Sequence, residues 1–306
     1  MINKLEFKAM GSHMLAALDL PQERLTELEQ VPSWFEAWEQ SFSRFRETSE
    51  LSQLNQSAGT PFHVSEMFWD VLQHTLASER RSLGLVTPAV LDALLLAGYD
   101  RSFKDLIPAS SYLTSNHQAP VGLLSEMQLD ETTRAVHLPS GLHLDFGGVA
   151  KGWAADQATR KLSAFGPALV NAGGDIAVSG PQANGEAWPI GITDPFDPES
   201  NLEVLMIERG GVATSGKDYR RWQLDSVWQH HIIDPRTGLP AQTDVLTATV
   251  IAPTAVEAEV AAKVALISGS RAGLEWLEAD PTLAGMLLLE DGQRIYSQRI
   301  HEYLWS

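Results

Sequence analysis

The chain has 306 residues, 44% hydrophobic and 20% charged, enough to bury a sizeable core in one large domain or two small ones. Its 22 Lys and Arg stand against 39 Asp and Glu, a net charge of −17, which argues against a nucleic-acid backbone or an anionic membrane surface as partner. With no cysteine, disulfides, thiolate nucleophiles and cysteine-held zinc are excluded.

In chain order, residues 5–20 read as a strand, and Pro21 opens a helix carrying Leu25, Leu28, Val31, Phe35 and Trp38 at helical spacing. Residues 41–55 are polar and turn-like. Ser49 to Asn55 suits a short helical turn that either brings Asn55 to a ligand or is merely capped by Ser49. Helices are expected over 66–82 and 91–98, with a strand at Leu85-Val86-Thr87 between them. Residues 100–125 read as a polar loop with a short helix, the place for an insertion. Residues 126–146 predict two strands around the turn signal Pro139-Ser140-Gly141.

Beyond them, a helix over 152–165 ends at Gly166-Pro167. A strand over 168–178 is interrupted by Gly173-Gly174-Asp175, which lacks the GxGxxG-to-helix pattern of a dinucleotide loop. Strands follow at 188–193 and 202–209, a turn at Gly210-Gly211, and a hairpin over 223–233 around Asp225-Ser226. A strand over 246–252 leads to helices over 256–267 and 271–277, then to a core strand over 283–289 that closes on Asp291-Gly292. No apolar run is long enough to span a bilayer, and Met1 to Glu6 lack an apolar signal core, so membrane insertion is not expected and a cytoplasmic location is. Strands and helices mix without regular βαβ alternation. The expected fold class is therefore α+β, mixed sheets with packed helices, over residues 1–306 as a single compact unit of one or two subdomains.

Chemistry concentrates near the middle, at Leu144-Asp145-Phe146-Gly147-Gly148-Val149-Ala150-Lys151-Gly152. An apolar run carries an acid, two glycines and then a lysine as a helical pattern begins. Glycine lets backbone approach a ligand closely, and a lysine with free amides at a helix start suits an anion such as phosphate. A strand-to-helix turn also needs small residues, so the stretch by itself is only suggestive.

Three further stretches follow in order: Ala168-Leu-Val-Asn-Ala-Gly-Gly-Asp-Ile-Ala-Val-Ser-Gly180, Ala213-Thr-Ser-Gly216 and His231-Ile-Ile-Asp-Pro-Arg-Thr-Gly238. With Phe7-Lys-Ala-Met-Gly-Ser12, Phe42-Ser-Arg-Phe45, Ser49-Glu-Leu-Ser-Gln-Leu-Asn55 and Val250-Ile-Ala-Pro-Thr-Ala-Val-Glu-Ala-Glu259, the chain resembles the FAD:protein FMN transferase (ApbE) family over nearly its whole length. The resemblance implies cleavage of FAD, release of AMP, and attachment of FMN through a phosphodiester to a Thr or Ser of an acceptor flavoprotein. Such chemistry is mostly positioning and neutralisation of charge on phosphoryl oxygens, and it usually employs a divalent cation, here Mg2+. By the same resemblance Asp145 and Lys151 contact FAD, together with Asn55 and Ser215. Met10, Phe45 and the segment Leu85, Val86 and Thr87 line the flavin pocket. The Gly148 carbonyl and Glu259 hold the metal. His231 deprotonates or orients the acceptor hydroxyl. The alternative for His231 is a strand histidine bonded to Asp234 or Arg236, and Asp234 to Gly238 reads as an Asx-type turn with Arg236 paired locally.

Two departures from the family pattern stand out. The family has Phe-Asp-Pro-Thr-Val where this chain has Val86-Thr-Pro-Ala-Val90, so Thr87 replaces an acid. On the last motif helix the family places a threonine four residues after its metal-binding acid. This chain has Glu259 and Lys263, on one helical face. Lys263 either projects an ammonium into the phosphate site, replacing or assisting the metal, or forms an exposed pair with Glu259 that contributes nothing to chemistry. FAD hydrolysis, with water as acceptor, and FAD binding without turnover are the alternative functions.

Overall fold

Eight strands build one antiparallel sheet, in the order Ile2–Ala9, Ser12–Asp19, Ala168–Ala172, Asp175–Val178, Gly210–Gly216, Val245–Ala252, Ala284–Leu289 and Arg294–Tyr296. The computed structural model describes residues 1–20, 26–57, 59–106, 123–224 and 226–305. It divides into two compact units: a first of residues 1–36, 151–219 and 243–306, which holds this sheet, and a second of 37–150 and 220–242. The architecture is α+β, as the irregular order of elements predicts.

Alternation along the strands sets the two faces of the sheet. Ile176, Val178, Val212, Ile251, Met286 and Leu288 form one face, buried with Trp188, Ile190, Ile192, Leu205 and Ile207 of the hairpin Trp188–Asp194 and Asp197–Ile207. Their strand neighbours Ala213 and Val250, both fully buried, point the other way. The helix Ala255–Ser268 packs on the strands Gly210–Gly216 and Val245–Ala252. It is apolar nearly all round because it lies deep in the unit, and Thr254 caps it by accepting a bond from the Glu257 N–H. Close approach explains two small residues. An added Cβ on Gly211 would lie 2.3 Å from the Ala255 nitrogen, and one on Gly152 would lie 2.8 Å from the Ala255 carbonyl oxygen.

The second unit holds the helices Glu50–Gln56, Glu66–Arg81 and Leu91–Leu96, a three-stranded sheet, and the hairpin Arg221–Leu224 and Val227–His230. Phe42, Phe68 and Phe146 pack ring against ring, with centroids 5.2–6.3 Å apart. Ala93, Leu94, Ala97, Tyr99, Trp222 and Ile233 make a second buried cluster.

Several expectations change. Residues 5–20 are two strands, turned back at Met10 and Gly11, whose φ of 46° and 67° make the tight two-residue turn that poor alternation concealed. The strand expected over 168–178 is likewise a hairpin, bent at Gly173 and Gly174. Leu85, Val86 and Thr87 form no strand. The Leu85 N–H donates to the Ser82 carbonyl and the Val86 N–H to Ser82 Oγ, while Pro88 has no N–H to extend a ladder. In 126–146 the hairpin turns at 131–134, where Asp130 Oδ1 accepts the N–H groups of Thr132 and Thr133, rather than at Pro139-Ser140-Gly141. Gly210 and Gly211 belong to a strand. A helix begins at Val31. Its expected start at Pro21 and Leu25, most of the 100–125 loop, and Asp225 of the predicted turn lie outside the described residues.

Candidate functional site

In the first unit two carboxylates and two ammoniums converge at a buried point. Gly173 and Gly174 turn the chain so that Asp175 opens an otherwise apolar strand, and its side chain is almost fully enclosed. Lys151, in the first turn of the helix Ala150–Leu162, donates to Asp175 Oδ2 at 2.7 Å and reaches Glu259 Oε1 at 3.4 Å. Glu259, 1% exposed, also takes the Lys263 ammonium on Oε1 at 2.9 Å and the Gly152 N–H on Oε2 at 2.9 Å. The i,i+4 relation thus gives a buried pair, and the reading of Glu259 and Lys263 as an exposed pair fails. Burial works against the charge on Glu259, but Lys151, Lys263 and the Gly152 N–H overcome it and hold the carboxyl at about 2. Burial, with the Glu259 charge beside it, pushes Asp175 upward. Asp156, one turn along from Gly152, accepts the N–H groups of Ala255 and Val256 at 2.9 and 3.1 Å and so closes the start of the next helix. Burial raises its carboxyl to about 6 against those two bonds.

In the second unit Arg44 is the centre of an aromatic assembly. Its Nε pairs with Asp145 Oδ2 at 2.9 Å, with both side chains nearly buried. Its guanidinium carbon lies 4.1 Å from the Phe45 ring centroid and 4.6 Å from that of Tyr99. Tyr99 stacks on Trp222 at 5.2 Å and meets the half-buried His231 edge-on at 6.5 Å. Trp222 is fixed by donating to the Ala97 carbonyl at 2.7 Å. Arg44 Nη2 is buried and makes no hydrogen bond among the described residues.

The motif Ser49 to Asn55 supports this assembly from behind. Ser49 caps the short helix by accepting from the Ser52 N–H. Asn55, which the sequence expects near a ligand, bonds the Leu144 backbone, donating Nδ2 to the carbonyl at 2.9 Å and accepting the N–H at 2.8 Å. The Asp145 N–H in turn donates to the Pro88 carbonyl at 2.8 Å, and its Oδ1 accepts the Gly147 N–H at 2.7 Å. The chain on either side of Asp145 is thereby clamped, and the segment Leu85 to Thr87 ends beside it.

Phe45, Asp145 and His231 are therefore brought into one assembly through Arg44 and Tyr99. Lys151, Glu259 and Lys263 meet in the other. In the first unit, Met10 is half-buried at its hairpin turn and Ser215 is buried on the strand Gly210–Gly216. Gly148 lies in the turn after Asp145. Asp234 is engaged by Arg236, whose N–H and Nε donate to Oδ1 at 2.9 Å, so the expected Asx-type turn is present. His230 Nε2 faces the Ala241 carbonyl at 2.9 Å.

A model of the ApbE family matches residues 10–287. The chain belongs to that family. It is 28% identical to the FAD:protein FMN transferase of Salmonella typhimurium over 302 residues, covering 94% of this chain and 85% of the relative. It is 29% identical to the protein of the same name from Treponema pallidum over 279 residues, covering 86% of this chain and 77% of the relative. The fold matches the ApbE protein of Thermotoga maritima with a TM-score of 0.89 at 24% identity over the whole of both chains. It also matches the flavin transferase ApbE of Vibrio cholerae with a TM-score of 0.82 at 24% identity over 99% of both.

Four residues of this ApbE chain are not singled out by its sequence. Asp175 carries a signal, since an acid beside the apolar run Ile176-Ala177-Val178 must find a cation once buried. Arg44 stands in view between Ser43 and Phe45, but the motif resemblance gives a role to Phe45 alone. Tyr99 and Trp222 are 123 positions apart in the chain, and nothing local joins them.

Proposed function

We propose that this protein transfers the FMN half of FAD to a hydroxyl of an acceptor protein. The acceptor oxygen attacks the phosphorus on the FMN side, a new P–O bond forms, and the bond from that phosphorus to the bridging oxygen breaks. AMP leaves with the bridging oxygen, and the hydroxyl proton passes to His231 as general base. Lys151 counters the diphosphate charge, and Asp145, set by Arg44 and by the clamps on its neighbours, fixes the dinucleotide. Phe45, with Met10 and the Leu85 to Thr87 segment, supplies apolar surface for the isoalloxazine, and Ser215 a hydroxyl. Asn55 acts through the Leu144 backbone. The acceptor side chain is a Thr or Ser of a flavoprotein, and the setting is cytoplasmic, the latter on the sequence expectation alone. Among the described residues no helix is long and apolar enough to cross a membrane.

The observation that carries this reading is the family match over residues 10–287, which runs through every motif that builds both assemblies. The magnesium ion implied by the resemblance is a different matter, because the side chains do not fit one as they are paired. Glu259 has both oxygens engaged by cations or an N–H, and Asp175 Oδ2 is engaged by Lys151. Among the described residues no three His, Cys, Asp or Glu side chains converge on an ion. No step is therefore routed through a metal, and the Gly148 carbonyl has no ligand role in the proposed chemistry.

The test is incubation with FAD and a candidate acceptor flavoprotein, with and without magnesium, followed by mass analysis of both chains and assay of AMP. A covalent FMN on the acceptor matched by AMP is the expected result. AMP without adduct means hydrolysis, and neither product from bound FAD means a binding module.

A further inference from the structure

Two carboxylates as enclosed as Asp175 and Glu259 require compensating positive charge, because an unpaired buried charge is strongly destabilising. A divalent ion could meet the need, or two monovalent cations could. This chain supplies the second solution from its own residues. Lys151 joins both acids, at 2.7 and 3.4 Å, and Lys263 completes Glu259 at 2.9 Å from the next turn of the same helix. The formal charge of the four groups cancels. Adding a divalent ion would give the cluster a net charge of the same size as the ion, with two ammoniums against it at close range.

We infer that the Lys263 ammonium takes the place a divalent cation would hold on Glu259, so that this carboxylate, with Lys151 already bridging it to Asp175, binds no divalent ion in the working protein. The position of Lys263 also excludes an oxygen ligand one turn from Glu259, since a protonated lysine has donors only. Both lysine side chains keep 15% of their surface exposed, so the ammoniums are not sealed off. Under the flavin-transfer reading, on which this role rests, Lys263 puts one positive charge near the diphosphate where a divalent ion would put two. The metal-free state of the pair does not depend on that reading.

The experiment uses the full-length protein stripped with chelator. Manganese binding is counted by electron paramagnetic resonance, and melting is followed in chelator and in magnesium or manganese. A bound ion raises the melting temperature because it binds only the folded chain. The wild type is expected to bind no manganese at this site and to melt at the same temperature in all three conditions. Lys263→Ser removes one ammonium and offers a hydroxyl. It is expected to bind one manganese and to melt higher when the ion is present. Lys263→Arg keeps the charge and stays metal-free.

Stoichiometric manganese binding by the wild type, abolished in Glu259→Gln, would overturn the inference. A folded Lys263→Ser that gains no ion would overturn it too, because Lys263 would not then be what keeps the ion out. Should Lys263→Ser fold only with manganese present, the result supports the inference in stronger form. If it folds in neither condition, Lys263→Gln takes its place, with gain of an ion as support and no gain as refutation. FAD binding, followed by flavin fluorescence in chelator, is measured in parallel. Its absence in every condition would defeat the flavin reading while leaving the metal result to stand on its own.

Discussion

The two charged assemblies satisfy their buried groups in opposite ways. In the first unit every charge of the Asp175, Glu259, Lys151 and Lys263 cluster meets an opposite charge within 3.4 Å. In the second, Arg44 has its Nε on Asp145 and its face between Phe45 and Tyr99, yet Nη2 is buried without a hydrogen bond among the described residues. A closed cluster holds structure together and fixes a local charge. An assembly with a donor left over has a group to offer a partner, since an unmet buried donor costs free energy until something accepts from it. The contrast separates an assembly that is complete in itself from one with a donor open to a partner.

The largest effect should come from opening the closed cluster. Lys151→Met leaves Asp175 without its ammonium and Glu259 with only one, and breaking a buried pair in this way costs about 3–5 kcal/mol. Urea unfolding should show a loss of that size. A loss below about 1 kcal/mol, the range of exposed ion pairs, would mean the cluster is solvated and not closed.

Next is the pH response of the same unit, through Asp156. Its carboxyl is raised from 3.8 to about 6, chiefly by burial, so the folded chain holds its proton more tightly than the unfolded chain does. Between those two values the native state carries the extra proton, and stability must fall as pH rises through the window. The fall amounts to about 3 kcal/mol in total, because each pH unit between the two values is worth about 1.36 kcal/mol. Asp156→Asn should remove that slope from a series of unfolding curves between pH 4 and about pH 7. An unchanged slope would assign it to other groups.

The second unit should respond less in stability and more in geometry. Asn55→Ala strips both bonds from the Leu144 backbone and leaves a buried N–H and carbonyl unmet, at a cost of about 1–3 kcal/mol. FAD affinity, read by flavin fluorescence, should weaken with it although Asn55 is not expected to touch the ligand. An Asn55→Ala protein that is destabilised but binds FAD as the wild type does would show that the Leu144 clamp does not set Asp145.

These contrasts also mark what a sequence can carry. The α+β class, the helices at 66–82 and 256–267 and the i,i+4 pairing of Glu259 with Lys263 are legible because apolar spacing and helical geometry are local. Met10-Gly11 reads as strand interior and Gly173-Gly174 as an interruption within one strand, because a two-residue hairpin turn differs from a strand by only a few dihedrals, which composition scarcely reveals. Asn55 is legible as a motif residue but not in what it bonds. Its partner is the backbone of Leu144, 89 positions away, and backbone atoms leave no mark on residue type. For the same reason the sequence places Lys263 near Glu259 and leaves open whether the pair is exposed or buried, which the strands packed over the helix decide.

The smallest effect in free energy is the one that bears most directly on the waiting donor. Arg44→Lys keeps a positive charge within reach of Asp145 but removes the planar fork, including Nη2, and most of the stacking on Phe45 and Tyr99. Because the ion pair survives, stability should change by about 1 kcal/mol or less. If Nη2 serves the ligand, FAD should bind about fivefold more weakly, equivalent to ~1 kcal/mol. Arg271→Lys, an exposed change in the first unit, is the matched control. Should Arg44→Lys and the wild type hold FAD equally well, Nη2 would be a tolerated defect of packing, and the distinction between a closed assembly and a waiting one would disappear.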